Sequence, residues 1–516
     1  DLGKQYPLVA YPYPFNIIGA DGKSDKFDVV WSSSNSDIIS VIDGLLITKK
    51  TGTVTITATL TGTNMSDSVT IKVVKPQEIV DKPWNVPANY VSKNGDSFSE
   101  TDYAMTTRAI YAAIDEAFAN GYNHVIFPKI NFYAQPITNA DGTAKWYYVP
   151  SNMTIEFPEG SVFYMMDNEV SRGPGNLIEI HYFHFGVPNN DHQNVCENSH
   201  LIMDTFYGER YNTTHKETEY LEENRFVNFG RKSINCSVEV RNAYSTAGYF
   251  IVADGTASTN KKTGVMNYGD FVSGWLNDNG ELDANSNWIS TNKFITVPDY
   301  GTDGYFISAD GQDSYAGKYW GGCSARTYDI LWFDENEELI LIERFNGRGD
   351  YYDIPTNAAY FKGSLQQPEL PTPGTNETLT SPWIAMHNDG ASKMCEIKNT
   401  KVWNSACGVF SVVGLTDGLW VHDCFTNRNG MKPYNERTGD FENGWQQMRH
   451  SIVSNNFLIG YFANHGYNTF IHTNFMPNYS GFGGDAELLR FINNTTDTVE
   501  VSEKCQAHYY YNIKII

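Results

Sequence analysis

The first part of the chain alternates apolar and polar residues with the period of β-strands. The segments TVTITATL at 53–60 and DSVTIKVV at 67–74 place an apolar side chain at almost every second position. Glycine-containing turns separate such runs, as they do between antiparallel strands. We therefore predict an all-β domain over residues 1–77, followed by a linker over residues 78–98.

A helical period replaces the strand period after this linker. Apolar residues at i, i+3, i+4, i+7 and i+8 lie on one face of an amphipathic helix. They are Ile110, Ala113, Ile114, Ala117 and Phe118. Gly121 stands where a glycine commonly ends a helix, and the strand-like segment HVIFP at 124–128 follows.

Most of the remaining chain consists of short apolar strands that end in Asn-rich turns. Turn asparagines recur every 18 to 29 residues, an interval typical of the coils of a parallel β-helix. They are Asn404, Asn427, Asn456, Asn474 and Asn494. We predict that they stack as a hydrogen-bonded ladder in a β-helix built from residues 99–266 and 369–516.

Residues 267–368 interrupt this rhythm with longer strands and many aromatic residues. A Pro-rich segment, LQQPELPTPG at 365–374, leads back to the short strands. We predict a β-sandwich inserted between coils of the β-helix. Two roles remain open for its tryptophans, either stacking on sugars or filling the core of the sandwich: Trp275, Trp288, Trp320 and Trp332.

Three parts of the chain resemble known families. The segments VVWSSSNSDIISV, DGLLITKKTGTVTITA and SVTIKVV resemble bacterial Ig-like group 2 domains. The helix, VIFP and SNMTIEFPEG, in that order, resemble the entry to right-handed parallel β-helices of the pectate-lyase-like superfamily. The segments FVSGWLNDNGEL and TYDILWFDENEELI resemble jelly-roll, carbohydrate-binding-like modules. These resemblances imply a mainly β fold: a right-handed parallel β-helix with an Ig-like domain and an inserted jelly-roll sandwich.

Composition narrows the range of partners. The chain of 516 residues carries a formal net charge of −23 and shows no basic face, which argues against nucleic-acid binding. Aromatic residues make up 14% of the chain and suit sugar binding. No apolar stretch reaches the length of a membrane span, so we expect no membrane insertion. The seven cysteines lack metal-ligand spacing, and buried thiols are expected. We expect no cofactor, with calcium at GFGGDAE (481–487) as the alternative.

The segment DFENGW at 440–445 carries the first catalytic candidates. In a strand, Asp440 and Glu442 face the same side, about 6.5 to 7 Å apart at the backbone. Their carboxyl groups can reach the separation of a glycosidase pair. Trp445 is then placed to stack on a sugar, and Arg449 to bind an anionic group. The alternative is an exposed acidic turn.

Neighbouring coils supply further candidates. His465 lies about one coil after Glu442, and we include it as a catalytic residue. His422 and Asp423 precede the Asp440 segment, and we predict that they bind substrate. The alternative for each histidine is a hydrogen-bonded turn residue.

A second polar cluster occupies the segment YGERYNTTHKETEYLEE at 207–223. Glu209 and His215 are its catalytic candidates, and Arg210 is its substrate-binding candidate. The segment loosely resembles a loop of phage and Firmicutes β-helix proteins. The alternative is a solvated run of surface charge.

The combination of modules resembles phage tail receptor-binding depolymerases, including preneck appendages. That resemblance implies binding and cleavage of a cell-surface polysaccharide or teichoic-acid-type glycan, by hydrolase or lyase chemistry. It also implies a homotrimer on the virion tail, outside the cell. Two alternatives remain: a secreted bacterial polysaccharide lyase or glycoside hydrolase, and a non-catalytic adhesin on the bacterial surface.

Overall fold

The structure is a computed structural model. It describes residues 5–7, 29–42, 45–74, 80–166, 180–188, 194–208, 224–246, 250–255, 271–285, 287–291, 293–297, 305–310, 327–346, 355, 357–365, 383–388, 392–403, 409–412, 416–429, 448–449, 451–460, 490–496, 509–512 and 514–515. The chain divides into two compact units. The antiparallel unit comprises Asp1–Glu78, Ala257–Asp389 and Asn478–Asp485, and the β-helix unit comprises Ile79–Thr256, Gly390–Pro477 and Ala486–Ile516.

The antiparallel unit begins with the strands that the alternating pattern predicts. One sheet contains Gln5–Pro7, Leu45–Thr48 and Ile39–Ile42, and another contains Val29–Ser33, Gly52–Leu60 and Ser66–Val73. All pairings in these sheets are antiparallel. Ile39, Val54 and Ile56 are buried in a common core because alternate residues of a strand face the same side. Membership of the Ig-like family stays a prediction.

The rest of the antiparallel unit is also built from antiparallel strands. A six-stranded sheet contains Phe271–Ser273, Ile289–Thr291, Ile295–Thr296, Thr327–Phe333, Leu339–Asn346 and Tyr360–Leu365. Two further pairs are Trp275–Leu276 with Leu282–Asp283, and Tyr305–Asp310 with Trp383–Asn388. The strand Trp383–Asn388 lies in this unit, although the sequence pattern predicted that the β-helix resumes at residue 369. Its antiparallel pairing with Tyr305–Asp310 explains the difference.

The tryptophans of this unit differ in their surroundings. Trp332 is completely buried and fills the core. Trp275 is half-buried and donates from Nε1 to Asp329 Oδ2 at 2.6 Å. Trp288 is half-buried beside Trp275, with ring centroids 6.3 Å apart. Trp320 lies outside the described residues.

The β-helix unit contains the predicted helix at Tyr103–Ala119. Asp102 begins it, since its Oδ1 accepts a hydrogen bond from the Met105 amide at 2.8 Å. Gly121 ends it with a left-handed φ of 77°, and the Tyr122 amide donates back to the Ala117 carbonyl at 2.9 Å.

The buried face of the helix matches the prediction at four of its five positions: Ile110, Ala113, Ile114 and Ala117. Phe118, in contrast, is 55% exposed. Tyr111 and Ile114, on either side of Phe118 around the helix, are buried, so the exposure of this side is confined to the last turn of the helix.

The segment predicted as a linker takes part in the β-helix. Pro83–Asn85 pairs in parallel with His124–Ile126. Trp84 packs edge-to-face against Tyr90, and the Tyr90 hydroxyl donates to Glu116 at 2.7 Å. Apolar rings within a Pro-containing stretch therefore anchor it to the first strand and to the helix.

Three sheets of parallel strands form the remainder of this unit. The long sheet contains Pro83–Asn85, His124–Ile126, Asn131–Ala134, Thr154–Met165, His200–Tyr207, Ser237–Tyr244, Glu396–Lys398, Lys401–Trp403, Trp420–His422, Phe425–Asn429, Ile452–Ser454, Phe457–Gly460, Arg490–Ile492, Thr495–Thr496, Tyr509–Tyr511 and Lys514–Ile515. The four-stranded sheet contains Ile180–Phe185, Asn224–Phe229, Ile251–Ala253 and Phe410–Val412. The five-stranded sheet contains Cys196–Glu197, Ser233–Ile234, Ser392–Lys393, Thr416–Asp417 and Met448–Arg449.

Successive coils visit these sheets in the same order. One coil passes through Cys196–Glu197, His200–Tyr207 and Asn224–Phe229, and the next begins at Ser233–Ile234. Neighbouring coils pair in parallel, as Leu201 does with Val238. This is the arrangement of a parallel β-helix, as the Asn-rich repeat predicted. Its core holds a cluster of phenylalanines that includes Phe132, Phe157, Phe163, Phe206 and Phe226.

Residues in the left-handed conformation turn the chain at equivalent places in successive coils. One column precedes the long sheet and contains Asn152, Asn198, Asn235, Met394 and Gly418. The other divides strands of the long sheet and contains Asn399, Asp423, Asn455, Asn493 and Asn512. Asparagine suits this conformation, since its short polar side chain hydrogen-bonds locally. In the second column Asn512 Nδ2 donates to Asn493 and Asn493 Nδ2 donates to Asn455, at 3.0 and 3.2 Å.

The predicted ladder of asparagines is confirmed at two positions, which are buried. Asn456 Nδ2 donates to Asn494 Oδ1 at 3.0 Å and to the Val421 carbonyl at 3.0 Å. Asn456 Oδ1 accepts from the Cys424 amide at 2.8 Å. Asn427 instead lies within the strand Phe425–Asn429, so the prediction is wrong there. Asn404 and Asn474 lie outside the described residues.

Removing the Asn456 side chain is expected to destabilise the β-helix unit by about 2 to 6 kcal/mol. Asn456→Ala leaves the Cys424 amide and the Val421 carbonyl buried without their partner, at a cost of about 1 to 3 kcal/mol each. Urea unfolding measures the change. Asn455→Gly is the matched control, because this exposed neighbour has a φ of 56° that glycine adopts freely. Equal losses in both variants would contradict the role of the buried amide.

The described cysteines Cys196, Cys236, Cys395 and Cys424 are buried free thiols, as predicted. Burial raises the pKa of the Cys424 thiol to about 12, which keeps it unreactive. Within the described ranges, no helix is both long and apolar enough to cross a membrane.

Candidate functional site

The described residues include part of the predicted site. His422 and Asp423 are described in full, and the backbone of Arg449 lies in the strand Met448–Arg449. The remaining predicted residues lie outside the described ranges: Glu209, Arg210, His215, Asp440, Glu442, Trp445 and His465. Their roles stay predictions.

His422 lies on the outer side of the long sheet. Val421 is completely buried, so its neighbours Trp420 and His422 face the other side of the strand. Their rings stack with centroids 4.0 Å apart and planes 27° apart. Asp423 follows with a φ of 53° and ends the strand.

Two carboxylates hold the ring of His422. Nε2 lies 2.8 Å from Glu396 Oε1 and Nδ1 lies 2.6 Å from Asp423 Oδ2. Lys398 Nζ lies 2.9 Å from the other oxygen of Glu396. The Glu396 side chain is 11% exposed, whereas that of Asp423 is 50% exposed. Asp423 is therefore the carboxylate of this group that a ligand can reach.

The paired charges continue into the preceding coil. Arg241 Nε lies 3.3 Å from Glu239 Oε1, and Asn399 Nδ2 donates to Glu239 Oε2 at 3.2 Å. These carboxylates accept hydrogen bonds from protein donors, so neither Glu239 nor Glu396 is arranged as a proton donor to a glycosidic oxygen. The arrangement suits hydrogen bonding to the hydroxyl groups of a ligand.

Arg449 lies in the coil that follows His422. Its strand pairs with Thr416–Asp417, with Arg449 opposite Asp417. The next strand, Ile452–Ser454, pairs with Trp420–His422. The backbone thus brings Arg449 and His422 into adjacent coils.

A row of aromatic side chains in contact, offset by two residues between Trp403 and Phe425, lies on the outer side of the same sheet. We call it the aromatic ladder: Tyr133, Tyr164, Tyr207, Tyr244, Trp403, Phe425 and Phe457. Consecutive ring centroids lie 4.9, 5.2, 5.0, 5.0, 5.4 and 5.2 Å apart. The rings face outward because the alternate positions are buried, as Phe163 and Ala243 are. Tyr207 is the most open of them, at 39% exposure.

Most side chains beside the ladder are uncharged or basic. Outward positions beside it on the described strands hold Asn131, Val162, Thr205, Asn242, Lys401 and Asn427, and Thr495 and Lys514 follow Phe457 in register. Two described carboxylates lie close to these positions: Asp204 precedes Thr205, and Asp423 lies two residues before Phe425. The strip is therefore less acidic than the chain as a whole, in which acidic residues outnumber basic residues by 60 to 37.

A third polar group lies on the four-stranded sheet and is almost completely buried. His181 and His184 share a strand, and Arg225 and Asn228 lie opposite them on the neighbouring strand. Arg225 is paired with Asp254 at 2.6 Å. The Trp146 ring stacks on His181 with centroids 4.0 Å apart. Among the described residues, no three His, Cys, Asp or Glu side chains are arranged to hold a metal ion.

No family model matches the chain, and no curated protein matches it. A solved structure with similarity to the chain is the A-module of the mannuronan C-5 epimerase AlgE4 from Azotobacter vinelandii. The match covers 75% of this chain and 72% of that chain, with 10% sequence identity and a TM-score of 0.22.

Sequence reasoning missed the aromatic ladder and the buried histidines for different reasons. The ladder joins residues that are 22 to 159 positions apart, and only the register of the coils aligns Tyr244 with Trp403. His181 and His184 are three residues apart, so a regular strand places them on opposite sides. Here Tyr182 and Phe183 both point into the core, which leaves both histidines on the same side. The sequence feature that could have indicated this pair is the HxxH spacing within an aromatic strand.

Proposed function

We propose that this protein binds an uncharged polysaccharide along the aromatic ladder and processes it. The observation that supports the proposal is the ladder itself, with mostly amide, hydroxyl and lysine groups beside it. A polysaccharide offers both the apolar C–H faces and the hydroxyl groups that such a surface complements.

The geometry of the ladder suits a linear polymer. The rings stack face to face from Tyr133 to Trp403 and between Phe425 and Phe457, and the Trp403 and Phe425 rings are tilted by 45° to each other. The ladder therefore presents an apolar strip of ring edges with one step in it. Strands of neighbouring coils are about 4.8 Å apart, so the flanking polar groups repeat at that interval across the sheet. A chain of sugar units lying across the strands therefore meets a similar set of groups at each coil.

Charge favours an uncharged polymer over a polyanion. The chain carries a formal charge of −23, which repels polyanions at low ionic strength. The lysines beside the ladder, Lys401 and Lys514, lie near its C-terminal end. At the His422 group, Lys398 and Arg241 are already engaged with Glu396 and Glu239.

Polysaccharide processing is the second element of the proposal, and its support comes from the sequence. We propose that Asp440 and Glu442 act as the carboxylate pair of a hydrolase, with His465, Glu209 and His215 as further catalytic candidates. His422, Asp423 and Arg449 then contribute hydrogen bonds to the substrate. We also propose the extracellular setting of a phage tail depolymerase. A secreted bacterial enzyme and an adhesin are the alternatives that the experiments below separate.

Replacing Tyr207 with alanine is expected to weaken polysaccharide binding at least about tenfold, as central aromatic contacts commonly do. Affinity electrophoresis in gels that contain fully methyl-esterified galacturonan measures the change. Tyr122→Ala is the matched control, because Tyr122 has an exposure of 38% against 39% for Tyr207 and lies away from the ladder. Equal retardation of both variants would overturn the assignment to the ladder.

The same gels with de-esterified galacturonan test the proposed preference for an uncharged polymer. The backbone is unchanged and only the carboxylates are exposed. We expect weaker retardation, with a difference that shrinks as salt is added. Incubation with cell-wall and capsule polysaccharides then tests processing. New reducing ends without absorbance near 235 nm indicate hydrolysis, unsaturated products indicate a lyase, and binding without products indicates an adhesin.

A further inference from the structure

We infer that His184, held between His181 and Asn228, makes the first coils of the β-helix acid-sensitive: its Nδ1 accepts hydrogen bonds from its own strand and from the neighbouring coil only while the ring is neutral. The inference rests on the direction of the hydrogen bonds in the buried group. It is independent of the function proposed above.

The two rings are hydrogen-bonded to each other inside the protein. Their Nδ1 atoms lie 2.8 Å apart, and the side chains belong to residues that are 1% and 4% exposed. One Nδ1 must donate and the other must accept, since a neutral imidazole has one donor and one acceptor nitrogen.

Arg225 determines which ring accepts. Its guanidinium can only donate, and its NH1 lies 3.3 Å from Asn228 Oδ1. Asn228 therefore presents its Nδ2 amide to His184 Nδ1, at 3.3 Å. His184 Nδ1 must accept, which places the proton of the neutral His184 ring on Nε2. His181 Nδ1 then carries the hydrogen that it donates to His184.

This arrangement leaves no place for a second proton on His184. A proton on Nδ1 would face the donors of both His181 and Asn228, and both hydrogen bonds would be lost. Gly230 limits the ring's movement: a Cβ at this position would collide with His184 Nε2. Protonation therefore replaces two hydrogen bonds with a buried, repelled cation.

The charged groups around the pair reinforce this effect. Arg225, on the neighbouring strand, adds a positive charge. The carboxylate of Asp254 is paired with this guanidinium at 2.6 Å. Trp146 and Tyr148, from the segment that precedes the pair, contribute aromatic rings. Burial, followed by Arg225, lowers the pKa of His181 well below its usual value despite the opposing effect of Asp254. Burial, His181 and Arg225 lower the pKa of His184 in the same direction.

These depressed pKa values give the direction of the pH dependence. Above the pKa of a free histidine, about 6.5, neither the folded nor the unfolded chain protonates these rings. Below it, the unfolded chain binds protons that the folded coils exclude, so stability falls as the pH falls. Each histidine multiplies the unfolding constant by up to about ten per pH unit, and the pair by up to about one hundred.

The coils that the hydrogen bond between His184 and Asn228 joins also carry part of the aromatic ladder. The strands Ile180–Phe185 and Asn224–Phe229 follow those that hold Tyr164 and Tyr207 along the chain. If the proposed function holds, acidification is therefore expected to weaken polysaccharide binding over the same pH range. A failure of binding at neutral pH concerns the proposed function alone, whereas the unfolding experiment concerns the histidine pair alone.

Urea unfolding of the full chain between pH 7.5 and 5.5 tests the inference. We expect the unfolding constant of the wild-type β-helix unit to rise by up to about thirtyfold from pH 6.5 to pH 5.5, and that of His184→Gln by up to about fivefold. Ile397→Val is the control: it trims a buried core residue, 1% exposed, and should raise the constant equally at every pH. Identical pH dependence in the wild type and His184→Gln would overturn the inference.

Two further measurements guard against a variant that fails to fold. In the wild type, histidine ring ¹⁵N shifts are expected to show His184 neutral with its proton on Nε2 at pH 5.5, and a charged ring would overturn the inference. Asn228→Asp replaces the amide donor with a carboxylate that accepts from a protonated His184. This variant is expected to lose most of the acid sensitivity, and retention of the wild-type pH dependence would contradict the role of Asn228.

Discussion

Replacing Phe163 with alanine is expected to lower the free energy of unfolding of the β-helix unit by about 3 to 5 kcal/mol. Phe163 is 1% exposed and lies against Phe132, Phe157, Phe206 and Phe226, with ring centroids 5.4 to 6.3 Å apart. These rings come from successive coils, so the loss removes contacts that join the coils. Urea unfolding of the wild type and the variant at neutral pH measures the change.

Tyr164→Ala is the matched control on the same strand. Tyr164 faces outward and stacks on Tyr133 and Tyr207, at 4.9 and 5.2 Å. Losing two stacked pairs at a half-exposed position is expected to cost about 1 to 3 kcal/mol, because each pair contributes about 0.5 to 1.5 kcal/mol. Phe163→Ala is thus expected to lose the most stability, whereas Tyr164→Ala is expected to lose polysaccharide binding. A larger loss of stability in Tyr164→Ala would contradict the division between core and ladder.

Replacing Asp440 with asparagine, or Glu442 with glutamine, is expected to reduce product formation at least about one hundredfold. A carboxyl group that gives or takes a proton in the transition state contributes about 10²- to 10⁴-fold to the rate, and an amide cannot replace it. The sequence places the two residues two positions apart, within reach of a glycosidase pair. Release of reducing ends from the polysaccharide that the wild type cleaves is the measurement.

Glu335→Gln provides the control for this loss. Glu335 is an exposed carboxylate of the antiparallel unit, so its amide variant removes the same charge without changing the β-helix unit. It is expected to keep full activity, and all three variants should share the urea midpoint of the wild type. Full activity in both Asp440→Asn and Glu442→Gln would exclude this pair as the catalytic site.

Local patterns in the sequence determined the secondary structure and the repeat. The apolar spacing from Ile110 to Ala117 and the glycine at 121 predicted a helix that ends where the structure ends it. The alternation at 53–60 and 67–74 predicted strands that pair in an antiparallel sheet. The recurrent asparagines indicated coils, because a turn in the left-handed conformation favours that residue at each repeat. The helix and the strands depend on neighbours within about four residues of each other, and each turn depends on the residue at the turn itself.

Only the tertiary structure decided which side chains meet. The strand Ser237–Tyr244 pairs with Glu396–Lys398 and Lys401–Trp403 across an insertion, and this register aligns Tyr244 with Trp403. The contact between His422 and Glu396 likewise joins successive coils. A β-helix is assembled by pairing coils whose lengths vary, and composition does not specify which residues become opposite partners.

The buried histidines show the same limit at short range. Side chains alternate between the two sides of a regular strand, so His181 and His184 would lie on opposite sides. A local irregularity, with Tyr182 and Phe183 both directed into the core, places the two histidines on the same side. The sequence by itself therefore determined the elements, the repeat and the chemistry available in each coil. The tertiary structure decided the register between coils and the side that each residue faces, because those depend on long-range packing and not on the local order of residues.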